Sequence, residues 1–209
     1  MVETILYDIG GNKGAYTDTN IKKFDKCIIV ETNPCLAKKL NEKYRTNTAI
    51  HVVEAIVSNK ETETFYISNS DSLSTSDTEW ITQSRFANNY IWTPIEGIKT
   101  VSLDTLITMY GEPTLLKIDV EGYEYNVLQS LSKKVKLLCF EWAEEKKEKI
   151  LLSLEYLLKQ NYTRFFIQIE DKYDYVVNDS EWYDFKTIYD IMDKCDINRK
   201  SYWGMIWAS

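Results

Sequence analysis

Apolar runs and helix-like stretches alternate along the first part of the chain. Short apolar runs at 4–10, 27–32 and 49–57 are typical of buried strands. The stretch NPCLAKKLNEKY follows the second run, and its opening Asn33 and Pro34 are start signals of a helix. This alternation predicts an α/β fold with a parallel sheet that is covered by helices on both faces.

The same alternation continues in the second half of the chain. EEKKEKILLSLEYLLKQN at 144–161 places apolar residues on one helical face. The remaining strand-like runs are 115–122, 136–143, 164–171 and 202–209. No Pro/Gly/Ser-rich linker and no repeat divides the chain, so we expect residues 1–209 to form a single domain.

Two stretches interrupt this pattern. ETETFYIS at 61–68 alternates in polarity and predicts an added hairpin strand. Residues 69–97 are rich in Ser, Thr and Asn, carry several aromatic residues, and are too long for a plain connection. We therefore expect an inserted loop or lid at 69–97, and we take this insert and the segment 171–201 as candidate elements of an acceptor site.

Composition and charge exclude several classes of function. The chain has 209 residues and a formal net charge of −7, which disfavours binding to a nucleic-acid backbone. No apolar stretch approaches the roughly 20 residues that span a bilayer, and the first residues lack the pattern of a signal peptide. These features lead us to expect a protein with no membrane span, whereas the oligomeric state is left open.

Cysteine and histidine usage adds little chemistry. The scattered Cys27, Cys35, Cys139 and Cys195 form no CxxC pair, and we expect them to be reduced, as in a cytoplasmic protein. His51 is the single histidine and has no second His or Cys at ligand spacing, so a zinc site is not expected.

The first strand ends in a glycine-containing turn, YDIGGNKGAYTD. Gly10 and Gly14 allow a sharp turn and a close approach of the backbone to a ligand, with Asn12 between them. The spacing departs from the dinucleotide pattern Gly-x-Gly-x-x-Gly, which disfavours a nicotinamide oxidoreductase. Asp8 before the glycines would repel a pyrophosphate and suits an ammonium group. A tight strand-to-helix turn without a ligand is the alternative interpretation.

A second acidic residue ends the second strand. Glu31 follows Asp8 by 23 residues, close to the spacing at which an acid accepts hydrogen bonds from ribose hydroxyls in dinucleotide folds. A solvated glutamate is the alternative. Together the two acids favour a ligand that joins a nucleoside to an amino acid, as S-adenosylmethionine does.

The fourth strand ends in a cluster of acids, LLKIDVEGYEYNVL. Asp119 is expected at the carboxyl end of this strand, beside the first strand, where it could take a proton from an attacking hydroxyl. Glu121 is the second candidate for that role. Glu124 falls in the first turn of the next helix and is expected to be structural, while Lys117 is left without a role.

Glu141, at the end of the fifth strand, is expected at the same edge of the sheet. Asp119, Glu121 and Glu141 could instead hold a divalent cation through oxygen ligands. The sequence fixes no geometry for such a site, so a divalent cation is possible but no metal is predicted.

These motifs resemble those of the FkbM family of S-adenosylmethionine-dependent methyltransferases. DIGGNKGAYT is similar to the family's Asp-x-Gly-Ala-Asn-x-Gly motif, VETNP to Glu-Pro-Asn-Pro, and LLKIDVEGYEYNVLQS to Lys-x-Asp-x-Glu-Gly-x-Glu-x-x-Val-Leu. Gly11 replaces the usual alanine and Thr32 the usual proline. The resemblance runs from Asp8 to the strand at 136–142.

The resemblance implies a doubly wound, Rossmann-like class I methyltransferase fold, with seven mostly parallel strands of which the last is antiparallel. It also implies S-adenosylmethionine as the cofactor. The residues that it assigns to cofactor binding are Asp8, Gly10, Asn12, Gly14, Glu31, Thr32, Ala55 (near the adenine) and Asp119.

The resemblance further implies O-methylation of a small molecule or oligosaccharide, with a sugar hydroxyl in a glycan as the leading acceptor and rhamnose or another deoxyhexose favoured. Ser74, Trp80, Trp92 and Glu141 are the candidate acceptor contacts, since aromatic faces with polar rims suit a sugar ring. The aromatic residues could instead pack the insert onto the sheet. O- or N-methylation of a non-sugar molecule and a non-catalytic cofactor-binding module are the alternatives.

Overall fold

A computed structural model describes residues 2–170, 172–174, 181–194 and 203–209. The strands, in chain order, are β1 (Ile5–Ile9), β2 (Lys26–Glu31), β3 (Ile50–Glu54), β4 (Ile56–Val57), β5 (Phe65–Ser68), β6 (Trp92–Ile95), β7 (Thr100–Val101), β8 (Leu115–Ile118), β9 (Leu138–Ala143), β10 (Phe165–Ile169) and β11 (Trp203–Ala208). The α-helices are α1 (Ala15–Asn20), α2 (Pro34–Lys43), α3 (Thr78–Gln83), α4 (Leu103–Tyr110), α5 (Glu124–Leu128), α6 (Lys147–Lys159) and α7 (Phe185–Asp193).

Seven of these strands form the main sheet, in the order β10-β11-β9-β8-β1-β2-β3. The pairs β9-β8, β8-β1, β1-β2 and β2-β3 are parallel, whereas β11 runs antiparallel to both of its neighbours. The expected seven-stranded sheet with an antiparallel last strand is therefore confirmed. The strand order reverses beside β1, and this arrangement brings the carboxyl ends of β1 and β8 together.

The core lies on both faces of the sheet. Every residue of β1 is buried: Tyr7 packs with the side chains of α4, α5 and α6 on one face, and Leu6 packs with those of β2 and α2 on the other. Because both faces of these strands are covered, their sequences are nearly continuous apolar runs. A lysine or an aspartate inside such a run is consequently buried and needs a partner.

The helices begin where the chain offers a capping side chain. The Asn33 side chain accepts hydrogen bonds from the backbone N–H groups of Cys35 (3.0 Å) and Leu36 (3.4 Å), and Pro34 follows as the first helical residue of α2. Ser102 caps α4 in a similar way, by accepting from the N–H of Thr105 at 3.0 Å. These caps satisfy N–H groups that have no partner inside the helix.

The apolar run at 49–57 is two strands rather than the single strand expected. β3 ends at Glu54, and β4 leaves the main sheet to pair with β7. The break falls at Ala55, whose carbonyl oxygen accepts a hydrogen bond from the Thr32 hydroxyl at 2.8 Å, while the N–H of Ile56 donates to the carbonyl of Lys99 at 2.9 Å. Pairing with a distant segment thus decides where β3 stops.

The insert at 69–97 is more ordered than a plain loop, and it contributes to the buried interior. It contains α3 and β6, and β6 pairs antiparallel with β5. Leu73 and Trp80 are both buried, and only 1% of the Trp80 surface is exposed. The insert is therefore more than a loop or lid, because these apolar residues belong to the interior.

Part of the segment 171–201 also belongs to the core. Helix α7 packs against α6 and buries Ile188 and Met192. Of the remainder, 171, 175–180 and 195–201 lie outside the described residues. No α-helix in the described part of the chain is both long enough and apolar enough to cross a membrane. The organisation of 1–209 as one domain stays a prediction.

Candidate active site

A cavity of about 630 Å³ opens at the carboxyl ends of β1, β2, β8 and β9. Its walls come from the glycine turn after β1, the end of β2, the insert, and the turn after β8. The predicted site residues that line it are Gly10, Asn12, Glu31, Thr32, Ser74, Trp80, Asp119, Glu121 and Glu141. The structure thus brings most of the predicted residues around one space.

The glycine turn lies directly against the end of β8. Gly10 has φ +81°, and a Cβ at this position would stand 1.7 Å from the carbonyl oxygen of Asp119. A side chain is excluded on both counts, because few non-glycine residues adopt positive φ and the neighbour is backbone. The absence of a side chain at Gly10 allows the turn after β1 and the candidate base at Asp119 to share one wall.

The insert closes over this turn. The Asn12 side-chain amide donates to the carbonyl of Asp71 at 3.0 Å, and Lys13 pairs with the Asp71 carboxylate at 2.7 Å. Leu73 and Ser74 follow along the same wall of the cavity. This placement brings Ser74, a candidate acceptor contact, to the wall of the cavity.

Glu31 is held with both carboxylate oxygens engaged by backbone donors. One oxygen accepts from the N–H of Asn12 and the other from the N–H of Asn33, each at 2.7 Å. Burial raises the pKa of Glu31 to about 7, although the two N–H groups act in the opposite direction. Each oxygen has a second lone pair, so the carboxylate can also accept hydrogen bonds from ribose hydroxyls.

Asp8 does not line the cavity, so the structure gives no support to the predicted contact with a cofactor ammonium group. The side chain is fully buried, with one oxygen accepting from the Thr17 hydroxyl at 2.8 Å and the other 3.2 Å from the Lys117 ammonium nitrogen. Asp8 and Lys117 are direct partners in the parallel register of β1 and β8. The acid therefore serves as the buried counter-ion of a lysine.

Lys117 is the residue that the sequence left without a role. Its ammonium nitrogen lies 3.2 Å from Oδ1 of Asp8, 3.2 Å from Oδ2 of Asp119 and 3.3 Å from the carbonyl oxygen of Gly10. The Tyr16 ring covers it, with 5.4 Å between the nitrogen and the ring centroid. One buried cation thus joins β1, the glycine turn and the candidate base. In the sequence, this role was indicated only by the presence of a lysine inside an apolar run.

Three carboxylates meet beside the carboxyl ends of β8 and β9. Ligand oxygens of Asp119, Glu121 and Glu141 all lie within 4.8 Å of one another, and each side chain is half-buried. Burial and repulsion from Asp119 raise the pKa of both Glu121 and Glu141 well above the usual range. Such a group can accept a proton from a hydroxyl, and its oxygens could also hold a divalent cation.

Glu124 is structural, as expected. Its Oε1 accepts hydrogen bonds from the N–H groups of Val120 at 3.0 Å and Gly122 at 3.2 Å. The carboxylate therefore fixes the turn that carries Glu121, which has φ +56°. Glu124 orders the cluster without lining the cavity.

Three further predicted residues lie outside the cavity wall. Gly14 is needed for packing, since a Cβ there would stand 2.3 Å from the Tyr44 hydroxyl. Ala55 is buried behind the wall, and the next residues Ile56 and Val57 line the cavity instead. Trp92 donates from its indole nitrogen to the carbonyl of Leu73 at 2.8 Å, so it fastens the hairpin rather than offering a face to an acceptor.

The cavity is also lined by aromatic residues that the sequence analysis did not name. Phe86 packs its ring 5.8 Å from that of Trp80, with the Arg85 guanidinium 5.1 Å from the Phe86 centroid. Tyr173 and Trp203 add further aromatic surface to the lining. Trp203 begins the last strand, next to Glu141's strand, so only the antiparallel placement of β11 brings it to the site.

The family description "Methyltransferase FkbM domain" matches residues 8–196. The chain belongs to this family. It is an S-adenosylmethionine-dependent methyltransferase, and the match continues beyond the strand at which the resemblance in the motifs ended. No curated protein matches the chain.

Solved structures similar to this FkbM domain are also methyltransferases by their titles. Precorrin-6y C5,15-methyltransferase from Geobacter metallireducens GS-15 has 11% identity and a TM-score of 0.46, covering 99% of this chain and 79% of that chain. The methyltransferase domain of bacterial-CtHen1-CN has 9% identity and a TM-score of 0.44, covering 99% and 90%. A methyltransferase from Thermoplasma acidophilum, described as putative, has 10% identity and a TM-score of 0.41, covering 99% and 67%.

The residues of this FkbM domain fit the cofactor of the family. Glu31 presents an oriented carboxylate to the cavity, and the glycine turn at Gly10 and Gly11 lines the same space. Ile56, Val57 and Leu36 offer apolar surface beyond Glu31, which suits a purine ring. The carboxylates of Asp119, Glu121 and Glu141 line the same cavity.

Proposed function

We propose that this FkbM methyltransferase transfers a methyl group to a hydroxyl of a sugar, within a glycan or oligosaccharide. Rhamnose or another deoxyhexose is the favoured acceptor, on the resemblance alone. The observation that carries the proposal is the pairing of proton-accepting carboxylates with aromatic side chains at one end of the cavity. An aromatic face packs on the apolar face of a sugar ring while a carboxylate accepts from its hydroxyl.

The reaction needs positioning and one proton acceptor. The bound cofactor supplies an activated methyl group, and the chain's own residues align the acceptor hydroxyl and remove its proton. Asp119 is held by Lys117 at 3.2 Å, which fixes its orientation. Burial and repulsion from Asp119 raise the pKa of Glu121, so its carboxylate is a stronger proton acceptor than an ordinary glutamate. We assign Glu121 as the base and Asp119 as its partner on the acceptor hydroxyl.

The cofactor contacts are part of the same proposal. Gly10, Asn12, Glu31 and Thr32 are proposed to hold the cofactor, and Asp119 to lie beside it and contact the acceptor hydroxyl, since all of them line the cavity. Ser74, Trp80 and Glu141 are proposed to contact the acceptor, together with Phe86.

A cytoplasmic location is likewise proposed, and it is supported by the thiols of Cys27 and Cys35, which form no disulfide among the described residues.

Methyl transfer to defined acceptors tests the proposal. The protein is incubated with methyl-labelled cofactor and a panel of acceptors: a methyl rhamnoside, a methyl glycoside of an amino sugar, and a non-sugar amine. Each reaction is run with Mg²⁺ and with EDTA. Mass spectrometry then locates the label. Label on a sugar oxygen is the expected result, and label only on nitrogen of an amine would refute the proposal. Loss of turnover in EDTA with recovery in Mg²⁺ would assign a cation to the three carboxylates.

A variant at Asp119 separates the acceptor role from cofactor binding. We expect Asp119→Asn to abolish turnover while S-adenosylhomocysteine binds with nearly the wild-type Kd. Loss of both together would make Asp119 a cofactor ligand only. Asp190→Asn, on an exposed position of α7, is the matched control and should change neither quantity.

A further inference from the structure

The candidate base Glu121 sits in a strained backbone conformation. Its φ of +56° is in the left-handed region, which costs free energy for any residue with a Cβ. Such a conformation persists only where neighbouring groups hold it. Glu124 holds the N–H groups on either side of Glu121, but it does not contact the Glu121 carbonyl.

The insert provides the missing contact. The hydroxyl of Thr75 donates to the carbonyl oxygen of Glu121 at 2.8 Å, and the same oxygen of Thr75 accepts from the N–H of Asp77 at 2.8 Å. Thr75 is fully buried, and its backbone exchanges two hydrogen bonds with Tyr66 of β5, at 2.8 and 3.0 Å. The hydroxyl that meets Glu121 is therefore fixed from both sides.

Packing against Gly122 adds to this contact. A Cβ at Gly122 would stand 3.1 Å from Oδ2 of Asp77 and 3.2 Å from Cε3 of Trp80, so the start of α3 lies close over the turn. Asp77 is in turn paired with the buried Lys146 at 2.8 Å and with Lys149 at 2.6 Å. Asp77 therefore connects the insert both to the start of α6 and to the turn that carries Glu121.

We propose that Thr75 is a positioning residue for the methyl-transfer reaction: its hydroxyl holds the backbone at Glu121 so that the carboxylate faces the acceptor. Through this hydrogen bond, the insert, which is proposed to contact the acceptor, also fixes the position of the Glu121 carboxylate. This inference rests on the proposed role of Glu121.

Three variants test the hydroxyl. Thr75→Val keeps the shape of the side chain and removes the hydrogen bond, whereas Thr75→Ser keeps the hydroxyl. Thr82→Val is the matched control, because the Thr82 hydroxyl also donates to a backbone carbonyl of the insert, that of Thr78 at 3.0 Å, but lies away from the turn. Thermal unfolding of each variant shows that it is folded.

Amide hydrogen exchange measures the positioning without any acceptor. In Thr75→Val we expect the N–H groups of Val120 and Gly122 to exchange about fivefold faster, which corresponds to about 1 kcal/mol, the net contribution of one hydrogen bond. Thr75→Ser and Thr82→Val should exchange like the wild type. Unchanged exchange in Thr75→Val, or equally fast exchange in Thr75→Ser, would overturn the inference.

Turnover then distinguishes this inference from the proposed function on which it rests. Thr75→Val should lower kcat about fivefold while the Kd for S-adenosylhomocysteine stays unchanged, and Thr75→Ser should restore kcat. If Glu121→Gln turns over like the wild type, the proposed role of Glu121 fails, whereas the exchange data still decide whether Thr75 holds the turn. If Glu121→Gln is inactive and Thr75→Val has wild-type kcat, the positioning role alone is refuted.

Discussion

Substitution of Gly10 by alanine tests the close contact between the glycine turn and the end of β8. The alanine Cβ would stand 1.7 Å from the carbonyl oxygen of Asp119, and the residue would keep φ at +81°. Moving the two backbones apart would strain the hydrogen bonds from Gly10 N–H to Val30 (2.9 Å) and from Asp119 N–H to Ile9 (3.0 Å). The positive φ costs roughly 1–2 kcal/mol and the overpacking roughly 1–3 kcal/mol more.

Gly97 provides the matched control, because it has φ +80° and a Cβ added there would meet no atom within 4 Å. Gly97→Ala isolates the conformational cost, and we expect it to lower the free energy of unfolding by about 1 kcal/mol. Gly10→Ala should lose about 3 kcal/mol or more, and should also bind S-adenosylhomocysteine more weakly. Urea unfolding and calorimetric titration measure the two effects. Equal losses in the two variants, within about 0.5 kcal/mol, would show that the contact with Asp119 is not tight.

Three further predictions concern charge and the acceptor. The Glu31 side chain, with a pKa of about 7, is mostly protonated at pH 6, and a carboxylate accepts hydrogen bonds best when it is ionised. The affinity for S-adenosylhomocysteine should therefore fall about tenfold from pH 8 to pH 6. Glu31→Gln should remove this pH dependence. Lys117→Met should lower the free energy of unfolding by about 3–5 kcal/mol because two carboxylates lose their buried partner, and addition of Asp8→Asn should recover part of that loss in urea unfolding. Phe86→Ala should raise the KM for the sugar with cofactor affinity unchanged, whereas Trp92→Ala should affect thermal stability rather than KM.

Several residues of the site could be found from the sequence because strand ends determine where their side chains meet. Gly10, Glu31 and Asp119 each follow an apolar run, and in a parallel sheet the carboxyl ends of such runs share one edge. Glu124 could also be assigned, since an acid in the first turn of a helix interacts with nearby N–H groups. These are local patterns, and the fold class follows from the same periodicity.

Other features depended on contacts between distant segments. Asp8 looked available to a ligand until the register of β1 and β8 placed Lys117 opposite it. Trp80 and Trp92 both lie in the insert, yet one lines the cavity and the other fastens the hairpin, because α3 and β6 pack differently. No periodicity encodes such a difference.

The sequence by itself determined the alternation of strands and helices, the position of the glycine turn and the acids at the strand ends, since each depends on neighbouring residues in the chain. Only the tertiary structure decided which acids face the cavity, that Lys117 pairs with both Asp8 and Asp119, and that Thr75 reaches Glu121 from 46 positions away. The physical reason is that burial, ion pairing and a left-handed backbone are each settled by atoms that the chain brings together only when it folds.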